Sequence, residues 1–368
     1  MSEKPEELAK QSTKEAERER EIERLEHELR AAKERELQLR RRALDAEQIR
    51  ESVYNLASGP VDAPDWTLEQ SRASDVPHIP VLVTSDFQWG EVIDHDNMDG
   101  INRFDVEIAR ERYRLLIDRT VDLAFEHLPK NRYEGIVVLR LGDTVSGDIH
   151  EDLRVSNELA AIPAVRSVVE SETWGLRQLA DAFGKVHVVS TPGNHGRYQM
   201  KPPSKHIPDN YDSMASWWLE SLFQKDSRLS WQTSKSTDCV FTMHGRQYLA
   251  THGDNIGSKG GQGFIGPAAT IMRGMKKTMD EYARRGIPLS KMFVGHFHTA
   301  YDLGYGWSNG SLPGYSEYAR SFRMTPEAPV QWLIFFHPKY GSTSQWKIQL
   351  APEPAGTTVV APFVGGAE

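Results

Sequence analysis

Residues 186–195 read Val186-His187-Val188-Val189-Ser190-Thr191-Pro192-Gly193-Asn194-His195. A short run of strand-forming residues ends in a Pro-Gly turn, and the turn leads straight to an amide and an imidazole. The same arrangement occurs twice upstream. Residues 79–84 are an apolar run followed by Ser85-Asp86-Phe87-Gln88, and residues 135–141 are followed by Gly142-Asp143-Thr144. It occurs twice more downstream, where residues 247–251 lead into His252-Gly253-Asp254 and residues 292–294 into Gly295-His296-Phe297-His298. Helical periodicity fills intervals between them, over 104–128, 165–183, 211–223 and 265–285. Strands alternating with helices predict an α/β layered domain. Further strands are expected over 240–243, 299–304, 330–336 and 345–350, the first forming a hairpin with 247–251 through a turn that holds His244.

The remaining sequence frames this domain, expected over 79–351. Residues 1–57 are dense in Glu, Arg and Lys, with no Gly and only Pro5. Their charges nearly balance, so most of the chain's net charge of −8 belongs to the rest. Ile22, Leu25, Leu29, Ala32, Leu39, Ala43, Ala46 and Val53 follow alternating three and four spacings, interrupted at Glu36 and Arg50. Such a seam suits a coiled coil that makes a homo-oligomer or docks a partner. A solitary charged helix held by local ion pairs is the other reading. Residues 58–78, with Gly59, Pro60, Pro64 and Pro77, read as a linker, and 352–368 as a flexible tail.

Several classes are excluded by composition. One cysteine, Cys239, rules out a disulfide framework and a thiolate zinc cluster. It lies in the apolar run Cys239-Val240-Phe241 and is expected to be a buried thiol. A charged N-terminus and no apolar run of membrane-spanning length give a cytoplasmic expectation, with no membrane partner. A net negative chain is not built for indiscriminate nucleic-acid binding, although a local basic groove is allowed.

In open α/β sheets, the loops beyond the carboxyl ends of the strands converge on a ligand crevice. Here each such loop carries a group able to coordinate a metal. Two divalent cations want oxygen and imidazole ligands, and a carboxylate can bridge them. Asp143, in the middle of the set, is the natural bridge. The i, i+2 spacing of His296 and His298 is expected to put both rings on one face of an extended segment. Asn194 offers a neutral amide oxygen, which limits the negative charge of the site.

These blocks resemble the calcineurin-like metallophosphoesterase superfamily, whose pattern runs Asp-x-His, Gly-Asp, Gly-Asn-His-Asp/Glu, His and Gly-His-x-His in that order. The likeness spans roughly residues 79–312, and four of the five blocks are nearly intact. It implies a layered α-β-β-α sandwich, here preceded by a long N-terminal helix. It implies one metal on Asp86, Gln88, Asp143 and His298, and a second on Asp143, Asn194, His252 and His296. His195 would assist the leaving oxygen as an acid or by stabilising its charge. The implied reaction is hydrolysis of a phosphate ester, foremost a phosphodiester in nucleic acid or a nucleotide, by a hydroxide shared between the metals.

The sequence departs from that pattern at two positions. Gln88 stands where most members have His, and there the chain looks similar to the manganese-dependent ADP-ribose/CDP-alcohol diphosphatases of the superfamily. An amide oxygen is harder than imidazole, so Mn²⁺ is favoured, with Zn²⁺, Fe²⁺ or Ni²⁺ as alternatives. Gln88 would either ligate or hold a metal-bound water. Gly196 replaces the acidic residue that commonly follows Gly-Asn-His, so whatever orients His195 must come from elsewhere. Three functions compete: a nuclease, like the related subunit of the double-strand-break repair complex; a small-nucleotide pyrophosphatase of ADP-ribose type; and a non-catalytic scaffold, like the small subunits of replicative DNA polymerases. The helical N-terminus ahead of such a domain also looks like bacteriophage-encoded proteins.

Outside the blocks, Arg197 beside His195 is a candidate substrate contact. So is Lys259, in the glycine-rich stretch 255–266, which is either a surface loop or a lid. Asp148 and His150 are candidates for the mouth. Asn309-Gly310-Ser311 matches a glycosylation sequon, which a cytoplasmic location would make irrelevant.

Overall fold

A computed structural model of the chain describes residues 64–68, 78–128, 133–200, 207–256, 266–321, 323 and 326–352. The expected helix over 1–57, nearly all of the expected tail over 352–368, and Lys259 lie outside the described residues. The elements run α1 (Asp65–Leu68), β1 (Ile79–Thr84), α2 (Val106–Asp122), β2 (Ile136–Arg140), α3 (Glu151–Ser156), α4 (Ala161–Phe183), β3 (Val186–Ser190) and α5 (Tyr211–Leu222). There follow β4 (Leu229–Thr233), β5 (Asp238–Met243), β6 (Arg246–Thr251), α6 (Gly266–Arg284), β7 (Leu289–Val294), β8 (Tyr301–Asp302), β9 (Gly306–Ser308), α7 (Glu317–Ser321), β10 (Val330–His337) and β11 (Gly341–Gln349).

Two mixed sheets result. One has the order β11-β10-β1-β2-β3-β4, the other β5-β6-β7-β9-β8. Strands β1 to β4 are mutually parallel, as are β6, β7 and β9. β1, β2 and β3 are buried along their whole length, which explains why their sequences are continuous apolar runs rather than alternations. Successive β1 side chains still enter different cores. Leu82 joins Leu116, Val138, Val168 and Leu219, a cluster shared with α2, α4 and α5. Val81 and Val83 join Leu139, Phe241, Phe293 and Phe336, a cluster drawn from both sheets. A third cluster packs Ile271 and Met275 of α6 against Leu249, Met292 and Val294. Burying each of these large side chains stabilises by about 1.5–3 kcal/mol.

The elements differ from expectation where one residue overrides the local pattern. The helix expected from 104 starts at Val106, because the Asp105 carboxylate accepts Ile108 N–H and caps it. Beyond Asp122 it passes into a π-helical turn, Leu123–His127. The strand expected over 299–304 is a tight pair, β8 and β9, reversed at Gly304 with φ +74°. β4 was not anticipated; its short Leu-Ser-Trp alternation is completed by pairing with β3. The expected linker holds α1, where Thr67 is fully buried and Trp66 packs on the core shared by both sheets. The predicted hairpin is present, and His244 sits in its turn at φ +48°. Cys239 is buried, and burial pushes its thiol up to about 12. No helix among the described residues is long and apolar enough to cross a membrane.

A buried ion pair ties four elements together below the strand ends. Arg140 Nε and an Nη of the same guanidinium each donate to Glu172 at 2.7 Å, and the other Nη donates to Ser190 and Ser216. Both partners are under 5% exposed. Removing one charge strands the other, so Glu172→Gln should lower the unfolding free energy by about 3–5 kcal/mol in urea titrations. A second test concerns acid stability. Burial pushes His187 from 6.5 down to about 4, partly opposed by Gln232 and Ser230. Its neutral form is therefore what folds. The associated stability is complete above pH 6.5 and is lost as pH falls toward 4. His187→Leu should flatten the loss of stability between pH 6.5 and 4 relative to the parent.

Candidate metal centre

The loops after β1 and β2 continue the pairing of their strands. Asp86 N–H donates to Gly142 O, Gln88 N–H to Asp143 O and Trp89 N–H to Thr144 O, all at 3.0–3.1 Å. Phe87 turns the other way and packs edge-on to Tyr113 in the core. Asp86 and Gln88 therefore share one side. The loops after β2 and β3 meet backbone to backbone. A Cβ on Gly142 would lie 2.3 Å from Gly193 N, and one on Gly193 would lie 2.1 Å from Asp143 Oδ1. Neither position has room for a side chain, so both glycines of the Gly-Asp and Gly-Asn-His blocks are sterically required.

Five of the seven predicted ligands have left-handed backbones: Asp86, Gln88, Asp143, His296 and His298, with φ between +47° and +67°. This conformation is uncommon for residues with a Cβ, and where the surroundings enforce it, it concentrates at functional sites. It also corrects the expectation for 296–298. The segment is not extended; both histidines sit in left-handed turns, and His296 N–H donates to both oxygens of Asp86. The two rings consequently have different neighbours. His296 groups with Asp143 and His252, each offering a ligand atom within 4.8 Å of the others. His298 Nε2 lies 3.3 Å from Asp86 Oδ1.

The electrostatics point to a cation. Asp86, Asp143 and His252 are at most 1% exposed. His252 Nδ1 lies 2.7 Å from Leu141 O, which makes that nitrogen the donor and leaves Nε2 facing the site. There it meets two acceptors, Asn194 Oδ1 at 2.9 Å and Asp143 Oδ2 at 3.1 Å. A neutral imidazole would aim a lone pair at oxygen, so either a proton or a metal ion must lie between them. With the proton, burial would lower the His252 pKa, but Asp143, Asp86 and Asp254 overcome this and push it up to about 10. Burial would raise the Asp143 carboxyl, but His252 and His195 hold it well below the usual carboxylate range. Burial and the nearby His252 push His296 down to about 4, against Asp143 and Asp86. Gln88 Nε2 reaches Asp143 Oδ2 at 3.4 Å, while Gln88 Oε1 is buried with no hydrogen-bond partner among the described residues. An orphaned amide oxygen, two buried carboxylates and inward-facing imidazole nitrogens form a donor set that fits hard or borderline divalent ions.

The neighbouring residues divide into those that orient and those already engaged. His195 N–H donates to Asp143 Oδ1 at 2.7 Å, and its ring Nδ1 is 2.9 Å from Ser146 O. Ser146 is thus the orienting partner that the sequence left unassigned. His195 Nε2 stays 3.9 Å from Asp143 Oδ2 with the side chain 19% exposed. His150 packs its ring against His195 at 5.4 Å. Arg197 pairs with Asp254, so this candidate substrate cation links the loops after β3 and β6. Asn309, in the sequon match, is wholly buried. Its amide donates to Val83 O, Ser85 Oγ and Gln331 Oε1, while Gln331 accepts Ser85 N–H and donates to Ser85 O. These two amides hold the backbone immediately before Asp86.

Two site residues escaped the sequence reading. Glu91 is half-buried beside the crevice; burial pushes its carboxyl up to about 7 against His195 and His298, with Glu317 adding to the rise. Asp212 contacts the loops through main-chain donors. An acidic residue in the first turn of a helix has an ordinary role there, so no local signal marked it. A surface cavity of about 720 Å³ lined by Arg119, Glu126, Trp346 and Lys347 shares no residue with the cluster.

No family model matches the chain, and no curated protein matches it. Among solved structures, the crystal structure of a dimetal phosphatase from Danio rerio aligns at a TM-score of 0.35 and 10% identity, covering 74% of this chain and 99% of that chain.

A divalent ion held by this cluster would make stability depend on the ion. Mn²⁺ at about a hundredfold over its dissociation constant should stabilise the folded protein by about 2.7 kcal/mol, reversibly with chelator. A melting temperature indifferent to both Mn²⁺ and chelator would count against the centre.

Proposed function

We propose that this chain is a two-metal-dependent phosphoesterase of the calcineurin-like type, acting foremost on a phosphodiester in a nucleotide or nucleic acid. The observation that carries the reading is the buried His252 Nε2 facing Asn194 and Asp143 oxygens, with Asp143, His252 and His296 offering ligand atoms within 4.8 Å of one another. The two sheets with their flanking helices are read as the α-β-β-α frame of that type. One ion would be held by Asp143, Asn194, His252 and His296, the other by Asp86, Gln88, Asp143 and His298. Such ions supply Lewis acidity, lowering the pKa of a bound water and neutralising charge on the phosphoryl oxygens. The oxygen-rich donor set, with Gln88 and Asn194, favours Mn²⁺.

The protein's own contribution is orientation and proton handling. Asp143 stays ionised because His252 and His195 face it. Ser146 O fixes the His195 ring through Nδ1, which leaves Nε2 as the atom that can carry a proton to the departing oxygen. Gly142 and Gly193 set the spacing of the central loops. A small-nucleotide pyrophosphatase remains the second reading, supported by the orphaned Gln88 amide oxygen.

Hydrolysis of bis-p-nitrophenyl phosphate with added Mn²⁺, followed by a panel of DNA, RNA, cyclic nucleotides and ADP-ribose, tests the proposal. Asp143→Asn should abolish turnover while leaving the circular dichroism spectrum near the parent's. His195→Ala should lower kcat by about 10²–10⁴. Turnover that survives Asp143→Asn or thorough chelation would refute it.

A further inference from the structure

The loops carrying Asp143 and Asn194 are held together by a carboxylate that belongs to neither. Asp212, in the first turn of α5, is 1% exposed. Its Oδ2 accepts Asp143 N–H at 2.9 Å and Gly193 N–H at 2.8 Å, and its Oδ1 accepts Thr144 N–H at 2.9 Å. The side chain therefore grips main chain on both loops. Asn210 completes the grip: its Oδ1 accepts Asp212 N–H and its Nδ2 donates to Gly193 O, both at 2.8 Å. Ser216 then donates to Asp212 O and receives a hydrogen bond from Arg140, which anchors the helix end to the buried ion pair.

Only an acceptor-only side chain with two oxygens can take all three N–H groups, because an amide would turn one of its atoms into a donor. A plain helix cap explains less. The N-cap of α5 is Asn210, and the Asp212 oxygens serve the ligand loops rather than α5's own amides. Asp212 also adds negative charge next to Asp143 in a dry region, a cost that a bound cation offsets. The space it needs is kept open at Gly196, where a Cβ would fall 2.2 Å from Asn210 Oδ1 and 3.1 Å from Asp212 Cγ.

We propose that Asp212 is the positioning residue of the metal centre, fixing the Asp143 and Asn194 loops at the separation where both side chains address one ion. Gly196 is its necessary partner. This rests on the metal-centre reading, and the test separates the two. Mn²⁺ titration calorimetry on the full chain compares the parent, Asp212→Asn and Gly196→Ala, with chelator-treated samples melted in parallel. The expected result is at least about tenfold weaker Mn²⁺ binding in both variants, the range usual for residues that support ligands. Gly196→Ala should do this with the carboxylate still present. A variant that melts lower in chelator yet binds Mn²⁺ like the parent has lost only structure, and that outcome overturns the proposal. If Asp212→Asn does not fold, Gly196→Ala decides by the same criterion. A parent that takes up no Mn²⁺ removes the metal-centre reading itself and this inference with it.

Discussion

An ionised carboxylate taken out of water is stable only when opposite charge or hydrogen-bond donors reach it, and Asp143 is taken out almost completely. Its Oδ1 receives the His195 N–H, and its Oδ2 faces the His252 and His195 rings and the Gln88 amide. Nearly every other feature of the crevice follows from that need. Gly193 is bare because Asp143 occupies the place of its side chain. His252 must turn Nδ1 toward Leu141 so that Nε2 can face inward. Left-handed turns at Asp86, Gln88, Asp143, His296 and His298 all lie in loops that follow strands. Their conformational cost is borne by the two packed sheets behind them.

Much of this was legible in the sequence because the parallel strands are wholly buried, and their apolar runs stand out against the polar loops. The polar side chains at the strand ends, Asp86, Asp143, Asn194, His252 and His296, were legible for the same reason. Other features were hidden because they depend on backbone geometry or on distant partners. Nothing in Gly295-His296-Phe297-His298 distinguishes an extended segment from alternating left-handed turns; the Asp86 oxygens waiting for His296 N–H decide it. Ser146 orients His195 with a carbonyl, a group every residue has. The Arg197 pairing with Asp254, 57 positions away, has no local signal either. β4 is too short and too mixed to be recognised without β3 beside it.

The π-helical turn after α2 and the cavity beside it share no residue with the Asp143, His252 and His296 cluster. The informative signals are polar atoms left facing one another in a dry place. Gln88 Oε1 and His252 Nε2 are such atoms, and both belong to loops that follow parallel strands.

The amide lattice of Asn309 and Gln331 around Ser85 has a consequence for biosynthesis. Ser85 and Asp86 leave the ribosome early, but the side chains that brace them lie more than two hundred positions later, and β10, which flanks β1, comes from the same late stretch. A truncated product ending before Asn309 would lack the lattice that holds the backbone just before Asp86.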